Sequence, residues 1–508
     1  MPQQMNKPDH YQLLIRGGTV IDGTKAPRFL ADVGITDGRI AAIGQLQAHT
    51  ADETLDASGL MVAPGFIDVH THDDLSLLSQ GDMSCKVSQG VTTVIVGNCG
   101  ISAAPLRNGQ DLPMPLNLLD IPEGNRFTTF AAYLQALRET PGAVNVAAMV
   151  GHTALRATTM DDTQRAANAG EIAAMQHLLD EALQAGAIGM STGTFYPPAA
   201  HASTEEIIEV GRPLSKHQAL YATHMRDEAD QVMASLDESF CIGRALGVPV
   251  VISHHKVMNR SNFGRSVQTL PFIREAMKHQ CVALDCYPYT AGSTMIRTDR
   301  GVLDGRVLIA SSVPHPECAG RDLDQIAAEW NMTKAEAAQR LQPGSAIYFV
   351  MDEDDVQRIL AFDETMIGSD GIAAGANPHP RLWGTFPRVL GHYSRDLGLF
   401  PLETAVWKMT GLSARNFQLP GRGTLQVGAH ADLTLFDANN VRDSATYDAP
   451  TLVSQGVHSV IVNGVVTWSG GAHSGARSGQ LIARATSADR LRGQRERRMG
   501  DPNRTTNN

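Results

Sequence analysis

In this sequence, residue types suited to metal chemistry recur where apolar runs end. The run Gly65-Phe66-Ile67-Asp68-Val69 closes on His70-Thr71-His72. Residues i and i+2 of a strand point the same way, so two imidazoles at this spacing can grip one metal ion. Two ordinary loop histidines would be the plain alternative, but further ligand types follow at other strand ends. His224 follows the apolar run 219–223, His254 and His255 follow 248–253, and Asp370 follows Met366-Ile367-Gly368-Ser369. Neutral imidazole and carboxylate oxygen are ordinary zinc ligands, whereas barrel cores favour branched apolar side chains. Packing alone therefore does not account for the pattern.

The elements that must position these groups can be read from texture. Residues 63–416 alternate apolar strand-like runs (65–69, 92–96, 144–150, 187–192, 220–223, 250–253, 282–285 and 365–368) with helical stretches such as 171–185 and 204–216. Eight strands alternating with helices imply an α/β fold, a (β/α)8 TIM-like barrel, with the histidines at its C-terminal mouth. Residues 288–347 break that rhythm and read as a lid-like insertion over the active site. Residues 1–62 and 417–486 hold short strands around the turn dipeptides Asp37-Gly38 and Asn463-Gly464. These two segments are expected to pair into one small β-sandwich domain. Residues 487–508, rich in Arg and Asn, read as a flexible tail.

The chain has 508 residues, 43% of them hydrophobic, ample for a large core. Its net charge of −11 argues against a nucleic-acid or anionic-membrane partner, though one basic pocket can still bind an anionic substrate. The polar start MPQQMNKPDHYQ lacks the apolar segment of a signal peptide, and no apolar run is long enough to span a membrane. Six irregularly spaced cysteines do not form a disulfide framework, which points to the cytoplasm. Oligomeric state is not encoded legibly.

The metal constellation resembles the amidohydrolase superfamily along nearly the whole chain. There the ligands are His-x-His after strand one, a bridging group, single histidines after strands five and six, and Asp after strand eight. His70, His72, His224, His254 and Asp370 match that pattern, with His255 a neighbour rather than a ligand. Many relatives bridge with a carboxylated lysine, and neither candidate for strand four leads to one. Instead strand two ends Val96-Gly97-Asn98-Cys99-Gly100, where a thiolate can bind zinc and bridge two metals. That Cys, with the segments Gly193-Thr194-Phe195-Tyr196-Pro197-Pro198, Ser253-His254-His255-Lys256, Asp285-Cys286-Tyr287-Pro288-Tyr289 and His379-Pro380-Arg381, is similar to the D-aminoacylases, the N-acyl-D-amino-acid deacylases.

The resemblance implies a tight zinc on Cys99, His224 and His254, and a second, weaker position on His70, His72 and Asp370. Asp370 is expected as general base and acid, with His72 helping to polarise the carbonyl. Tyr196, Lys256 and Arg381 would hold the substrate carboxylate, and Tyr287 and Ser293 would lie near the scissile carbonyl. Phe195, Met258, Tyr348 and Met351 match apolar pocket positions, which favours neutral residues of the D-methionine or D-leucine type. Arg297 favours the opposite, D-aspartate or D-glutamate derivatives, if it faces the pocket. A hydantoinase-like cyclic-amide hydrolase shares the barrel but requires the lysine bridge. A metal-free scaffold shares it too but should have lost ligands.

Overall fold

The computed structural model describes residues 9–109, 111–119, 126–373, 375 and 377–484. The expected tail at 487–508 lies outside them. Eight parallel strands run β1 (Phe66–Asp68), β2 (Val91–Val96), β3 (Asn145–Ala148, resuming after Met149 as Val150–Gly151), β4 (Gly189–Gly193), β5 (Leu220–His224), β6 (Val250–Ile252), β7 (Val282–Cys286) and β8 (Thr365–Ile367). Each pairs in parallel with the next. The ring closes between β8 and β1, where Thr71 bridges Gly371 and Asp370 N donates to His70 O at 2.7 Å. All eight expected strand runs are present.

Strand alternation sorts the side chains into two cores. Ile67, Val69, Ile95, Ala147, Ala222, Val251, Ala283 and Met366 fill the barrel interior. Phe66, Val94, Val96, Val146, Tyr221, Val250 and Ile252 face outward against the helices. The helices are set by local signals. Asn168 and Glu171 form a capping box at the start of Ala169–Ala185, and Ser203 caps Thr204–His217. Gly247, at φ +64°, ends Val232–Leu246.

Nine further strands, from His10–Val20 to Met61–Pro64 and from Leu433–Phe436 to Ala472–His473, hydrogen-bond into one continuous sheet. It folds over a shared core of Leu13, Ile15, Val33, Ile35, Val62, Leu433, Leu435 and Ile461, contributed by both ends of the chain. Asp37-Gly38 and Asn463-Gly464 each place two successive residues at positive φ, as a two-residue hairpin turn requires. The first strand, His10–Val20, is longer than the short strands expected and is interrupted by a bulge at Gly17. Gly17 has φ +70°, so the kink needs no break in the strand.

After β7 the chain leaves the barrel and builds a three-stranded antiparallel sheet from Gly292–Met295, Val307–Ser312 and Gly344–Tyr348. The helices Leu323–Glu329 and Lys334–Leu341 pack on it around their own core. No helix of the described residues is long and apolar enough to cross a membrane.

Candidate metal centre and pocket

At the C-terminal mouth, the ligand atoms of His70, Cys99, His254 and Asp370 all lie within 4.8 Å of one another. Cys99 Sγ is 3.2 Å from His70 Nε2 and 3.3 Å from His254 Nε2. Asp370 Oδ1 is 3.5 Å from His70 Nε2 and 3.3 Å from His72 Nε2. The ring of His224 packs edge-on to His254 at 4.4 Å between centroids. Three of these residues, Cys99 (φ +55°), His254 (φ +36°) and Asp370 (φ +48°), occupy the left-handed backbone region just past their strands. That conformation costs a non-glycine residue on the order of 1 kcal/mol or more. Its recurrence at three converging ligands marks a built site.

The donor set fits a borderline-soft divalent cation. Nδ1 of His224 and Nδ1 of His72 are buried without a hydrogen-bond partner. A buried imidazole in that condition carries the full cost of desolvation unless it binds a cation. Burial opposes ionisation of Cys99, but the His70 and His254 charges outweigh it and hold the thiol well below its usual range. A thiolate among imidazoles suits zinc. Burial likewise opposes ionisation of Asp370, which Arg381 and His254 overcome. Neither β3 nor β4 ends in a lysine. Gly151-His152 and Gly193-Thr194 stand there.

Three groups behind the ligands escaped sequence reasoning. Asp285 on β7 lies 3.4 Å from His70 Nδ1 and accepts His254 N at 3.0 Å. Glu228, four residues past His224 in the loop that follows β5, lies 3.1 Å from His254 Nδ1 and 3.4 Å from His224 Nε2. Lys86 is fully buried, its Nζ 2.8 Å from Asp68, 3.1 Å from Asp73, 2.9 Å from Thr71 and 3.0 Å from Ser369. Asp68 also accepts Ser369 N at 2.8 Å and so ties the end of β1 to the turn that carries Asp370.

The centre opens into a pocket lined by Phe195, Tyr196, Lys256, Met258, Tyr287, Ser293, Arg297, Tyr348 and Met351, with His224, His254 and Asp370 in its wall. The residues after β4, β6 and β7 and the inserted sheet thus meet in one cavity. Its apolar wall is extended by Val302 and Val350. Arg381 sits behind it, with Nη2 2.9 Å from Asp370 Oδ2 and 3.3 Å from Ser293 O, and the guanidinium 4.5 Å over the Tyr287 ring. Its Nε and Nη1 are buried without an acceptor. Arg297 does line the pocket, but its guanidinium pairs with Asp299 at 2.7 and 2.8 Å and lies 4.3 Å over the Phe195 ring. His255 points away, to Thr269 Oγ1 at 2.8 Å.

The amidohydrolase family model matches residues 53–247 and 324–468. The D-aminoacylase of Alcaligenes xylosoxydans xylosoxydans is 60% identical over 484 residues, 95% of this chain and 99% of that protein. A solved structure of a D-aminoacylase, concerned with its binuclear metal centre, is 59% identical. It aligns over 93% of this chain and 100% of that one, with a TM-score of 0.92. The N-acyl-D-glutamate deacylase of Bordetella bronchiseptica, solved with zinc and a phosphonate inhibitor, is 48% identical over 93% of this chain and 100% of that one, with a TM-score of 0.90.

Proposed function

The chain belongs to the amidohydrolase family, among the D-aminoacylases, and from that premise we propose that it hydrolyses N-acyl-D-amino acids with zinc as cofactor. The observation that carries the reading is the convergence of a thiolate, three imidazoles and Asp370 on a pocket backed by an arginine with two N–H groups to spare. Cys99, His224 and His254 would hold the tight ion, and His70, His72 and Asp370 a second one. An ion bound there supplies Lewis acidity towards water and towards an amide carbonyl.

The protein groups do the rest. Arg381, whose Nε and Nη1 lack acceptors, can give a charged hydrogen bond to a substrate carboxylate, with Lys256 and Tyr196 as further donors. Tyr287 and Ser293 face the scissile carbonyl. Asp370, kept ionised by Arg381, takes a proton from the attacking water and returns it to the amide nitrogen as the C–N bond breaks. Water oxygen ends on the acyl carbon as a carboxylate, and the free D-amino acid leaves.

The side-chain subsite favours neutral D-residues. Phe195, Met258, Tyr348 and Met351 offer apolar surface, and Asp299 already balances the charge of Arg297. Free thiols throughout accord with a reducing cytoplasm. The test compares N-acetyl-D-methionine, N-acetyl-D-glutamate and N-acetyl-L-methionine with the zinc-loaded enzyme. D-methionine turnover should lead. Preference for D-glutamate refutes the neutral subsite, and preference for the L-substrate refutes the stereochemical assignment.

A further inference from the structure

Glu228 is buried and occupies a crowded position. Both its carboxylate oxygens are 2.8 Å from Lys256 Nζ, one is 3.1 Å from His254 Nδ1, and the other is 3.4 Å from His224 Nε2. Lys256 Nζ is itself 2.7 Å from His254 Nδ1. These contacts cannot all be kept when His254 ligates through Nε2, the nitrogen that faces Cys99. A neutral imidazole binding a cation through Nε2 carries its proton on Nδ1, and that N–H needs an acceptor. An ammonium has no lone pair to offer. Glu228 does, and among the described contacts of His254 Nδ1 it is the only carboxylate.

Lys256 then has two anionic partners to choose between, since it lines the pocket as well as touching Glu228. We propose that Glu228 is a positioning residue with two linked tasks: it fixes the ligating tautomer of His254, and it holds Lys256 until a substrate carboxylate in the pocket claims the ammonium. Substrate arrival would thus leave Glu228 wholly to the imidazoles, strengthening their hold on the ion during turnover. The second task rests on the N-acyl-D-amino-acid reading above, while the first does not.

Glu228→Gln and Lys256→Met in the zinc-loaded enzyme separate the tasks. Zinc affinity is read by competition with a chelator, without substrate. Glu228→Gln, which keeps a single neutral acceptor and turns its other end into a donor, should weaken it about 10–100-fold, the usual effect of mutating a partner behind a metal-bound histidine, and Lys256→Met should leave it within threefold. Kinetics are then read on N-acetyl-D-methionine and on its amide, which lacks the carboxylate. In Glu228→Gln, kcat should fall tenfold or more on both, while KM falls severalfold for the acid alone, because Lys256 no longer has an internal competitor. In Lys256→Met, KM for the acid should rise at least tenfold. Zinc affinity unchanged in Glu228→Gln, or lost equally in Lys256→Met, overturns the first task. A KM that moves together for acid and amide in Glu228→Gln overturns the second. Should the wild-type enzyme cleave neither substrate, the functional reading and the second task fall together, and zinc affinity alone decides the first.

Discussion

The two sides of the metal centre are braced by different means. His70, His72 and Asp370 stand where β8 closes on β1, and behind them Lys86 is locked among Asp68, Asp73, Thr71 and Ser369 with no solvent contact. Cys99, His224 and His254 stand at the C-terminal ends of β2, β5 and β6, and the charged pair behind the histidines, Glu228 and Lys256, forms part of the pocket wall. The first brace sees only protein. The second sees whatever enters the pocket. A buried ion cluster with every partner satisfied fixes geometry, whereas a pair facing a binding cavity can exchange partners. The closing seam is therefore built as a rigid frame for Asp370, and the opposite wall as the responsive half.

The comparison breaks most sharply at Asp370. Asp370→Asn keeps the size of the side chain and can still meet Arg381, but it cannot take up a proton. Turnover should fall by about 10²–10⁴-fold, the range expected for losing a general base. Metal analysis should still find the ion on the Cys99 side, since none of its ligands has changed. Near-normal turnover would remove Asp370 from the proton relay. Loss of all metal would show that the two sides are one site.

The frame itself is tested next. Lys86→Met leaves Asp68 and Asp73 buried without their cation, at a cost of about 3–5 kcal/mol. Denaturant unfolding should show the loss. Lys256→Met should cost less, because His224 and His254 remain beside Glu228 and the pocket admits water. Equal costs would mean that both braces are frames, and the contrast between them would be lost.

The side chains that converge on both sides were legible in the sequence as ligand candidates, and the braces were not. His70, His224, Cys99 and Asp370 announce themselves because apolar runs end in residues that packing does not call for. The alternation of such runs with helical stretches places all eight barrel strands. Lys86 lies in the four-residue helix Ser84–Val87, and Glu228 in the stretch Met225-Arg226-Asp227-Glu228. Locally both read as solvated charges. Their burial depends on partners up to 283 residues away, as with Lys86 and Ser369, and no local pattern encodes that. Arg297 shows the reverse limit: its place in the pocket could be guessed, but its neutralisation by Asp299 could not.

Arg297 also offers a smaller, graded test on the pocket side. Asp299→Asn removes the carboxylate that balances the guanidinium. Turnover of N-acetyl-D-glutamate relative to N-acetyl-D-methionine should then rise about tenfold, within the worth of one charge-assisted hydrogen bond. Zinc content and Lys86-dependent stability should not change. An unaltered ratio would place the subsite's selectivity in its apolar wall alone.

A third buried charge cluster supplies the control, with the smallest expected effect on turnover. Arg156, Glu206 and His152 pack behind β3 and β4 and touch none of the proposed ligands. Burial alone would raise the Glu206 carboxyl, yet the His152 contact, the Ala167 N–H and Arg156 bring it down to about 2. A carboxyl depressed in the folded state adds stability above its unfolded pKa, near 4.5, and loses it as pH falls towards 2. Glu206→Gln should therefore be less stable than wild type at neutral pH, and its stability should fall less steeply between pH 4.5 and 2. At neutral pH its kcat and zinc affinity should match the wild type, because the cluster braces helices rather than ligands. A tenfold or greater fall in kcat would mean that any buried ion cluster near the barrel mouth tunes the centre. The distinction between a rigid seam and a responsive wall would then rest on proximity, not on what each brace touches.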